Sequence, residues 1–397
     1  MLRVSIEQAR PGMVLAQSIL DPNTDGHVLL KTGFELNEDY IKRLRILRVY
    51  SAWIHYPGLD FLDNVIDQKM VDKQQKLYGS LKEEFAQAQQ DQGLSNINYG
   101  LFVDQLTALF SRMVSVNCES AHFIDELHGN NQDLFHHGTQ VASLAMLIGM
   151  RLDSHIVRCR PNTPPSLASC LTPLGLGCLL HDVGKMGMTE EEINFKLTAQ
   201  DRGSQHWQSH TEVGYTMIKG GLDPLAGQIV LNHHQHFDGS GFPKRNPVPG
   251  TKDPYFTLKG DDIHVFGRIA TLADRFINFR HLPDGRVAPN IVALKRLNNP
   301  GYIKWFDPIV FKAFTDAMPA FGIGESVTLN NGQEAVVTQI NAKAPCRPTV
   351  RPVDLDKATG DIGPEGQQAQ VEDINLQYNS ELSIAKVGDF DVSTYLF

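Results

Sequence analysis

The sequence predicts a mainly α-helical protein, with a small α+β domain before the helical region and a short β-rich tail after it. Apolar residues recur at helical spacing through residues 101–320, for example at Val141, Leu144, Ala145 and Ile148. Short alternating apolar runs that are typical of strands occur near both ends of the chain. The largest part of the protein is therefore expected to be a helical domain over residues 100–320.

The first 62 residues predict the small α+β domain. The segments MVLAQSIL, HVLLKTG and VYSAWIHY have strand-like patterns, and Ile41, Leu44 and Leu47 mark a short amphipathic helix between the second and third. We expect a regulatory or packing role for this domain, because it carries no cluster of ionisable residues.

Residues 63–99 predict a connecting helix. The segment is rich in Lys, Gln, Glu and Asp, and Met70, Leu77 and Phe85 lie at helical spacing. This pattern is typical of a helix with one apolar face and one solvated face.

The tail, residues 321–397, changes character at Gly322. Its segment VTLNNGQEAVVTQI contains two β-runs joined at Asn331 and Gly332. This is a strong hairpin signal, because both turn residues tolerate positive φ.

Composition excludes several classes of function. The chain has 397 residues, 42% hydrophobic and 20% charged, and a formal net charge of −9. This charge argues against wrapping DNA or coating an anionic membrane. It is compatible with a small phosphorylated ligand where metal ions or a few arginines reverse the local field.

The cysteines and the apolar segments predict a cytoplasmic protein without membrane insertion. The five cysteines are scattered and never spaced CxxC, as expected for reduced thiols. The first 20 residues contain Glu7 and Pro11 where a signal peptide would be apolar. Residues 167–180 are apolar but too short to span a bilayer, so we expect a core helix.

Five motifs in the helical region place His or Asp near the end or inner face of separate helical segments. They are DLFHHGTQVA (133–142), HDVGK (181–185), WQSHTEVG (207–214), HHQHFDGSGFP (233–243) and ATLADRF (270–276). Buried charge costs several kcal/mol unless it is paired or bound to metal. The joint pattern therefore favours a metal site over five separate buried polar residues.

Together these motifs resemble the HD-GYP family, a branch of the HD phosphohydrolase superfamily. The resemblance covers residues 100–320, and the N-terminal domain is more weakly similar to the small domain that often precedes HD-GYP domains. It implies a fold of the HD type, an all-α helical bundle, and a bacterial phosphodiesterase that hydrolyses cyclic dinucleotides in second-messenger signalling. It leaves open cyclic di-GMP or 3′,3′-cyclic GMP-AMP as substrate, and a linear dinucleotide or mononucleotides as product.

The resemblance also implies a binuclear metal site. The implied ligands are His137, His181, Asp182, His210, His233, His234 and Asp274. Asp182 would bridge two divalent cations and act in catalysis with Lys185, the lysine of the HDxGK motif. Imidazole-rich ligation suits Fe or Mn better than Mg. Asp133, four residues before His137, is a candidate ligand for a third ion, which the sequence leaves open.

The substrate-binding residues implied by the resemblance are Arg280, Arg286, Lys185 and Asp238. The two arginines replace a basic Arg-Pro-Tyr segment of the family and are shifted along the chain. Asp238 is also expected to hold its loop by local hydrogen bonds. The resemblance further admits a homodimer and signalling-protein partners at the Gly-Phe-Pro loop.

Two departures from the family bear on activity. Gln235 stands where many relatives have Glu, and Phe242 replaces the tyrosine of Gly-Tyr-Pro. They raise the alternative of a weakly active or inactive sensor that binds the dinucleotide and acts through protein partners. A third alternative is an HD hydrolase of another phosphate ester. The complete ligand set and the DGSGFP loop favour the phosphodiesterase.

Overall fold

The computed structural model describes residues 1–21, 27–63, 66–90, 97–118, 124, 133–189, 205–218, 220–245, 256–282, 286–358 and 372–397. The helices are α1 (Glu38–Ile46), α2 (Gln68–Gln90), α3 (Tyr99–Ser115), α4 (Leu134–Arg151), α5 (Asp153–Cys159), α6 (Pro165–Ala168), α7 (Thr172–Leu180), α8 (Gln205–Gln208), α9 (His210–Ile218), α10 (Pro224–Asn232), α11 (Val265–Arg280), α12 (Asn290–Leu297) and α13 (Pro308–Ala317). The strands are β1 (Leu2–Ser5), β2 (Ile19–Leu20), β3 (Val28–Leu30), β4 (Ser51–Ile54), β5 (Ser326–Leu329), β6 (Glu334–Gln339), β7 (Thr349–Pro352), β8 (Ile374–Asn375), β9 (Ile384–Val387) and β10 (Phe390–Asp391). The predicted mainly α-helical class, with β structure near both ends, is confirmed.

The N-terminal part contains two small antiparallel strand pairs and one helix. β1 pairs with β4, and β2 pairs with β3. Between β3 and β4, α1 begins after Asn37, whose side chain accepts the N–H of Tyr40 at 2.9 Å. Such a cap satisfies a backbone donor that the first turn of a helix leaves open. The helix buries Ile41 and Leu44, as its sequence pattern predicts.

Helix α2 lies between this N-terminal part and the rest of the helices. It buries Met70, Leu77 and Phe85 and packs on α3 and α4, while Asp72 and Lys76 are exposed. The predicted division into an apolar and a solvated face is therefore observed. The proposed domain boundaries at residues 62, 99 and 320 stay predictions.

The C-terminal strands form one antiparallel sheet in the order β10-β9-β5-β6-β7-β8. The predicted hairpin joins β5 to β6, and Gly332 has the positive φ of 86° that such a turn requires. The N-terminal part contacts this sheet, because the N–H of Arg3 donates to the carbonyl of Gly324 at 2.8 Å. The two ends of the chain are thereby joined.

Helices α4, α7, α10 and α11 form the core around which the other helices pack. α4 and α7 approach each other closely at a glycine. A Cβ placed on Gly138 would lie 2.4 Å from the carbonyl oxygen of Leu179. This contact fixes the end of α7 against α4.

One segment of the described chain, Pro165–Gly187, has the length and apolar composition of a membrane-spanning helix. Of its most apolar window, 72% is buried inside the protein. The segment includes α6 and α7 and ends with the polar residues His181, Asp182 and Lys185. The structure thus places the apolar segment in the protein core, as its sequence predicts.

We expect Gly138→Ala to lower the free energy of unfolding by about 1–3 kcal/mol, since the added methyl group must push α4 and α7 apart. Gly79→Ala is the matched control, because this glycine of α2 has nothing within 4 Å of an added Cβ. The control should be neutral or stabilising by up to about 1 kcal/mol. Denaturant titration measures both. Equal stability of the two variants would contradict the packing described here.

A histidine caps the helix that carries Asp274. His264 accepts the N–H of Phe266 at 3.2 Å at the start of α11. Burial, together with the charges of Arg160 and Arg268, lowers the pKa of His264 to about 4. In the unfolded chain the pKa of a histidine is about 6.5. As the pH falls, His264 is therefore protonated in the unfolded chain before it is protonated in the folded protein.

It follows that protonation of His264 in the unfolded chain lowers the free energy of unfolding as the pH falls from about 6.5 to about 4. His264→Asn keeps a capping side chain without a titrating group. Between pH 7 and pH 5 we expect the natural protein to lose about 1–2 kcal/mol more stability than this variant. Denaturant midpoints at the two pH values measure the difference. Equal losses of stability in the natural protein and in the variant would show that His264 has the same pKa in the folded and unfolded states.

Candidate metal centre

Seven ionisable side chains from five helical segments converge in the core. His137 lies in the first turn of α4, His181 and Asp182 directly follow α7, His210 begins α9, His233 and His234 follow α10, and Asp274 lies within α11. All seven are at most 8% exposed. The structure therefore brings together every residue that the sequence predicts as a ligand of the two ions.

One half of the cluster faces the Oδ2 atom of Asp182. His181 Nε2 lies 3.4 Å from this oxygen and His137 Nε2 lies 3.8 Å from it. Asp274 Oδ1 lies 3.1 Å from His137 Nε2 and 3.5 Å from His181 Nε2. Two imidazoles and two carboxylate oxygens thus surround one point.

The other half faces the Oδ1 atom of the same carboxylate. His210 Nε2 lies 3.4 Å and His233 Nε2 lies 3.6 Å from it. One ligand atom from each of Asp182, His210, His233 and His234 lies within 4.8 Å of the others. A single carboxylate therefore separates two groups of imidazole nitrogens.

Three of the imidazoles are oriented by backbone carbonyls three residues earlier. The hydrogen bonds are His181 Nδ1–H to Cys178 O (2.7 Å), His210 Nδ1–H to Trp207 O (2.6 Å) and His233 Nδ1–H to Val230 O (2.9 Å). A carbonyl can only accept, so each ring carries a proton on Nδ1 and directs Nε2 into the cluster. Metal-binding histidines commonly have such partners.

His234 is held differently. Its Nδ1 accepts an N–H of Arg275 at 3.0 Å, because a guanidinium can only donate. A neutral imidazole that accepts at Nδ1 carries its proton on Nε2. His234 therefore joins a metal shell only if the Arg275 contact is exchanged for the metal.

The two carboxylates of the cluster are ionised. Burial alone would raise the pKa of Asp182, but the charges of Lys185 and His181 outweigh it and hold this pKa well below its usual value. The pKa of Asp274 is lowered in the same way against burial, by hydrogen bonds with His137 and His181.

The imidazoles divide into two kinds. Burial would lower the pKa of His181, but Asp182 and Asp274 raise it to about 9. Burial lowers the pKa of His137 to about 4, despite its hydrogen bond with Asp274. Burial also lowers the pKa values of the other three imidazoles, those of His210, His233 and His234. Four of the five imidazoles are therefore neutral at pH 7, which is the form that binds metal.

The donor set fits cations. Buried atoms without a hydrogen-bond partner among the described residues include His181 Nε2, Asp182 Oδ1 and Asp274 Oδ2. Leaving such atoms unsatisfied is costly. A cation would satisfy both carboxylate oxygens, and it would satisfy His181 Nε2 on displacing the proton of that nitrogen. The cluster can thus hold metal ions, and its composition is that of a nitrogen-rich, carboxylate-bridged site.

Lys185 and Asp133 make different contacts: Lys185 pairs with a residue of the cluster, and Asp133 caps a helix. Lys185 lies in the short helix Val183–Gly187, and its Nζ pairs with Asp182 Oδ2. Asp133 caps the N-terminus of α4. Its Oδ1 accepts the N–H of Phe135 at 2.8 Å, and its Oδ2 accepts the hydroxyl of Tyr78 at 3.0 Å. Its role as a ligand of a third ion stays a prediction.

The other predicted substrate contacts lie outside the cluster. Arg280 is buried, and its Nε donates to the carbonyl of Ala288 at 3.1 Å. Arg286 is exposed and lies 3.8 Å from Asp389. Both arginines line one cavity. Their contact with substrate stays a prediction.

The Gly-Phe-Pro loop packs directly on the centre. The Phe242 ring stacks on His234 with a centroid distance of 4.5 Å and meets Trp207 edge-on at 5.6 Å. A Cβ on Gly241 would lie 2.3 Å from the carbonyl oxygen of His234, so only glycine fits. Asp238 Oδ1 accepts the N–H of Ser240 at 2.9 Å, the local bond expected of it.

Gln235, the first departure from the family, also supports this loop. Its amide nitrogen donates to the carbonyl of Pro243 at 2.7 Å, and its amide oxygen accepts the N–H of Leu258 at 3.1 Å. A carboxylate could not donate to Pro243. The amide therefore has a structural role here that Glu could not fill.

Three neighbours of the centre were not predicted from the sequence. Arg275 contacts His234, Trp207 lies between Lys185 and Phe242, and Asn278 donates to Asp274. In the sequence, Arg275 directly follows the predicted ligand Asp274, and Asn278 lies one helical turn after Asp274. This proximity is the signal from which both residues could have been predicted. Three further histidines lie outside the cluster: His206 is exposed, while His136 and His236 are buried.

A family model for the HD domain matches residues 134–278. The match covers less than half of the chain, and the matching region is similar to the HD domain. The HD domain contains all seven residues of the cluster, and the resemblance predicted from the motifs is confirmed.

Curated relatives of the HD domain are named as phosphodiesterases. A cyclic di-GMP phosphodiesterase of Pseudomonas aeruginosa is 27% identical over 214 residues, covering 50% of this chain and 47% of the relative. A 3′3′-cGAMP-specific phosphodiesterase of Vibrio cholerae is 36% identical over 102 residues, covering 24% of this chain and 17% of the relative. The chain thus spans less than half the length of either relative.

A solved structure of an HDG"Y"P protein from Bdellovibrio bacteriovorus has a TM-score of 0.46 and 16% identity to this chain. The similarity covers 79% of this chain and 98% of that protein. A similarity of this size supports no conclusion by itself.

We expect the protein, purified anaerobically with Fe or Mn, to bind at least two metal ions per chain. Asp182→Ala should empty both halves of the cluster, because each half uses one oxygen of this carboxylate. Asp133→Asn is the control and should retain at least two ions. Elemental analysis by mass spectrometry gives the stoichiometry. Fewer than one ion in the unmutated chain at saturating metal would exclude a binuclear centre.

Proposed function

We propose that the chain is a metal-dependent phosphodiesterase that hydrolyses a cyclic dinucleotide, either cyclic di-GMP or 3′,3′-cyclic GMP-AMP. The observation that carries the proposal is the position of Asp182, whose two oxygens face separate groups of imidazole nitrogens. The names of the relatives support the substrate class. Fe or Mn is the proposed metal, given the nitrogen-rich donor set.

Two bound cations would supply Lewis-acid activation of water and would neutralise the charge of the phosphodiester. In this proposal Asp182 holds both half-sites at a fixed separation. The carbonyls of Cys178, Trp207 and Val230 keep the Nε2 lone pairs of their imidazoles aimed at the cluster.

Lys185 is proposed to act on the substrate. Its Nζ lies beside Asp182 Oδ2 and is buried, so its charge acts in a low-dielectric environment. From there it would donate a hydrogen bond to a phosphate oxygen and stabilise the negative charge that develops in the transition state. Hydrolysis then forms one bond from the water oxygen to phosphorus and breaks the bond to the leaving sugar oxygen, which takes up a proton.

Phe242 and Gln235 do not favour the inactive sensor. The Phe242 ring packs on His234, and Gln235 holds the loop through Pro243. Neither feature removes a ligand from the cluster. A cytoplasmic location, a homodimer and protein partners at the Gly-Phe-Pro loop belong to the same proposal.

The direct test is turnover of both cyclic dinucleotides by the metal-loaded protein, with products separated by chromatography. We expect hydrolysis of at least one of them, loss of hydrolysis on chelation, and recovery when Fe or Mn is returned. Asp182→Ala should be inactive at any metal concentration. Full metal occupancy without hydrolysis of either substrate would contradict the proposal.

Phe242→Tyr tests whether the missing hydroxyl limits the reaction. One added hydrogen bond is worth about 0.5–1.5 kcal/mol, so we expect turnover to change by less than about tenfold. Gly241→Val should reduce turnover more, because its side chain would collide with the backbone of His234 and His236. Hydrolysis that appears only in Phe242→Tyr would show that the hydroxyl is catalytic and that the natural protein is a sensor.

A further inference from the structure

His234 differs from other histidines of the cluster in the group that its Nδ1 faces. In His181, His210 and His233 this nitrogen donates to a backbone carbonyl. In His234 it accepts an N–H of Arg275 at 3.0 Å, and both side chains are buried. A carbonyl keeps a proton on Nδ1 and leaves Nε2 for a metal, whereas a guanidinium keeps the proton off Nδ1.

A metal ion and Arg275 cannot use the His234 imidazole together. While Nδ1 accepts from the guanidinium, the neutral ring carries its proton on Nε2. A metal that binds at Nε2 needs this proton moved to Nδ1, which can then no longer accept from Arg275. A metal that binds at Nδ1 takes the lone pair that the arginine uses. Either mode of metal binding therefore breaks the hydrogen bond between the two side chains.

Packing holds the His234 ring beside both the cluster and the arginine. The Phe242 ring stacks on it at a centroid distance of 4.5 Å, and the rings of His233 and Trp207 lie at 4.1 and 5.2 Å. The backbone carbonyl of His234 also accepts the N–H of Phe242 at 3.0 Å. The competition is therefore decided by one proton and by the guanidinium, with the imidazole ring in place.

Arg275 has a second contact that can hold it after it releases His234. It directly follows Asp274 on α11, so a helix that carries a ligand of the cluster also positions the arginine. Its guanidinium lies over the ring of Trp305, 5.6 Å from the centroid. A cation over an aromatic face is stabilised. Exchange of Arg275 for a metal at His234 thus breaks one hydrogen bond and leaves the guanidinium with a favourable neighbour.

Only one half of the cluster is subject to this competition. One ligand atom from each of Asp182, His210, His233 and His234 lies within 4.8 Å of the others, and these four residues form the half-site of His234. The half that faces Asp182 Oδ2 does not include His234. The positive charge of the guanidinium acts in the same direction as its hydrogen bond, because it repels a cation in a buried site.

We infer that Arg275 is a positioning residue that competes with metal for His234 and so lowers the metal affinity of this half-site. The inference rests on the metal centre of the proposed function. An ion that uses all four ligands must displace the guanidinium from the imidazole. The metal concentration at which the centre becomes binuclear, and hence active, is therefore set by a residue that is not a ligand.

The test measures metal affinity in the full chain and in three variants. Arg275→Met removes the charge and every donor from a side chain of similar shape. Arg275→Gln supplies an amide oxygen that can accept from Nδ1–H, the form needed for a metal at Nε2. Arg275→Lys is the matched control, because an ammonium keeps the charge and can only donate. Each protein is stripped of metal and titrated with Mn²⁺, with the free ion measured by electron paramagnetic resonance and a chelator as competitor.

We expect two Mn²⁺ ions per chain and an effect on one of them. In Arg275→Met and Arg275→Gln one Kd should fall by about tenfold or more, the usual size of effects from residues that contact metal ligands, while the other changes less than about twofold. Arg275→Lys should stay within about threefold of the unmutated protein. Unchanged or weaker binding in both the Met and the Gln variants would overturn the inference.

A double-mutant cycle determines whether Arg275 acts through His234 or through its charge alone. His234→Ala removes the imidazole, and Arg275→Met is then measured in that background. If the arginine acts through the imidazole, the second substitution should change the Mn²⁺ Kd by less than about threefold. A gain in affinity as large as that seen with His234 present would overturn the inference, because charge repulsion alone would explain it.

The metal-free natural protein provides a measurement that needs no Arg275 variant. Nitrogen NMR of ¹⁵N-labelled histidine distinguishes a ring nitrogen that bears a proton from one that does not, and His234→Gln identifies the signals of His234. At neutral pH we expect the proton of His234 on Nε2. A proton on Nδ1 would overturn the inference, since Arg275 would then not be bound there.

These measurements separate the inference from the proposed function, because none of them uses a substrate. The predicted affinities in a protein that hydrolyses neither cyclic dinucleotide would support the inference and contradict the proposed function. Equal Mn²⁺ affinities in all variants of an active enzyme would overturn the inference alone. A chain that binds no Mn²⁺ in any form would overturn both.

Discussion

The Asp182 carboxylate is the group on which the rest of the centre depends. It is buried, ionised, and placed with one oxygen toward each group of imidazoles. A buried charge of this kind is stable only when opposite charge or metal compensates it. Lys185 and His181 provide part of that compensation. The core helices hold these groups in place, and the contact of Gly138 with Leu179 sets how closely α4 approaches the end of α7.

The same kind of hydrogen bond, from Nδ1 to a backbone carbonyl, orients three of the histidines. Each donates from Nδ1 to the carbonyl three residues earlier, and two of them, His181 and His233, directly follow a helix. Carbonyls in the last turn of a helix have no partner within the helix, so they are free to accept. The end of a helix thus fixes both the tautomer and the direction of the ring. His234 lacks this support and is held by Arg275.

Both ends of the chain pack near the HD domain. His281, whose ring centroid lies 6.5 Å from that of His137, lines a cavity with walls from both ends of the chain. The hydrogen bond from Arg3 to Gly324 joins those ends.

The sequence by itself determined the helical class, the C-terminal hairpin and the seven residues of the cluster. The first two follow from periodicity and turn residues, which act over a few residues. The seven residues were implied by the resemblance of the five motifs to the HD-GYP family. Tertiary structure decided what depends on distant segments. Tyr78 donates a hydrogen bond to Asp133, 55 residues later in the chain. Trp53 and Ser326 share one cavity although no local pattern connects them, because only the packing of the two ends brings them together.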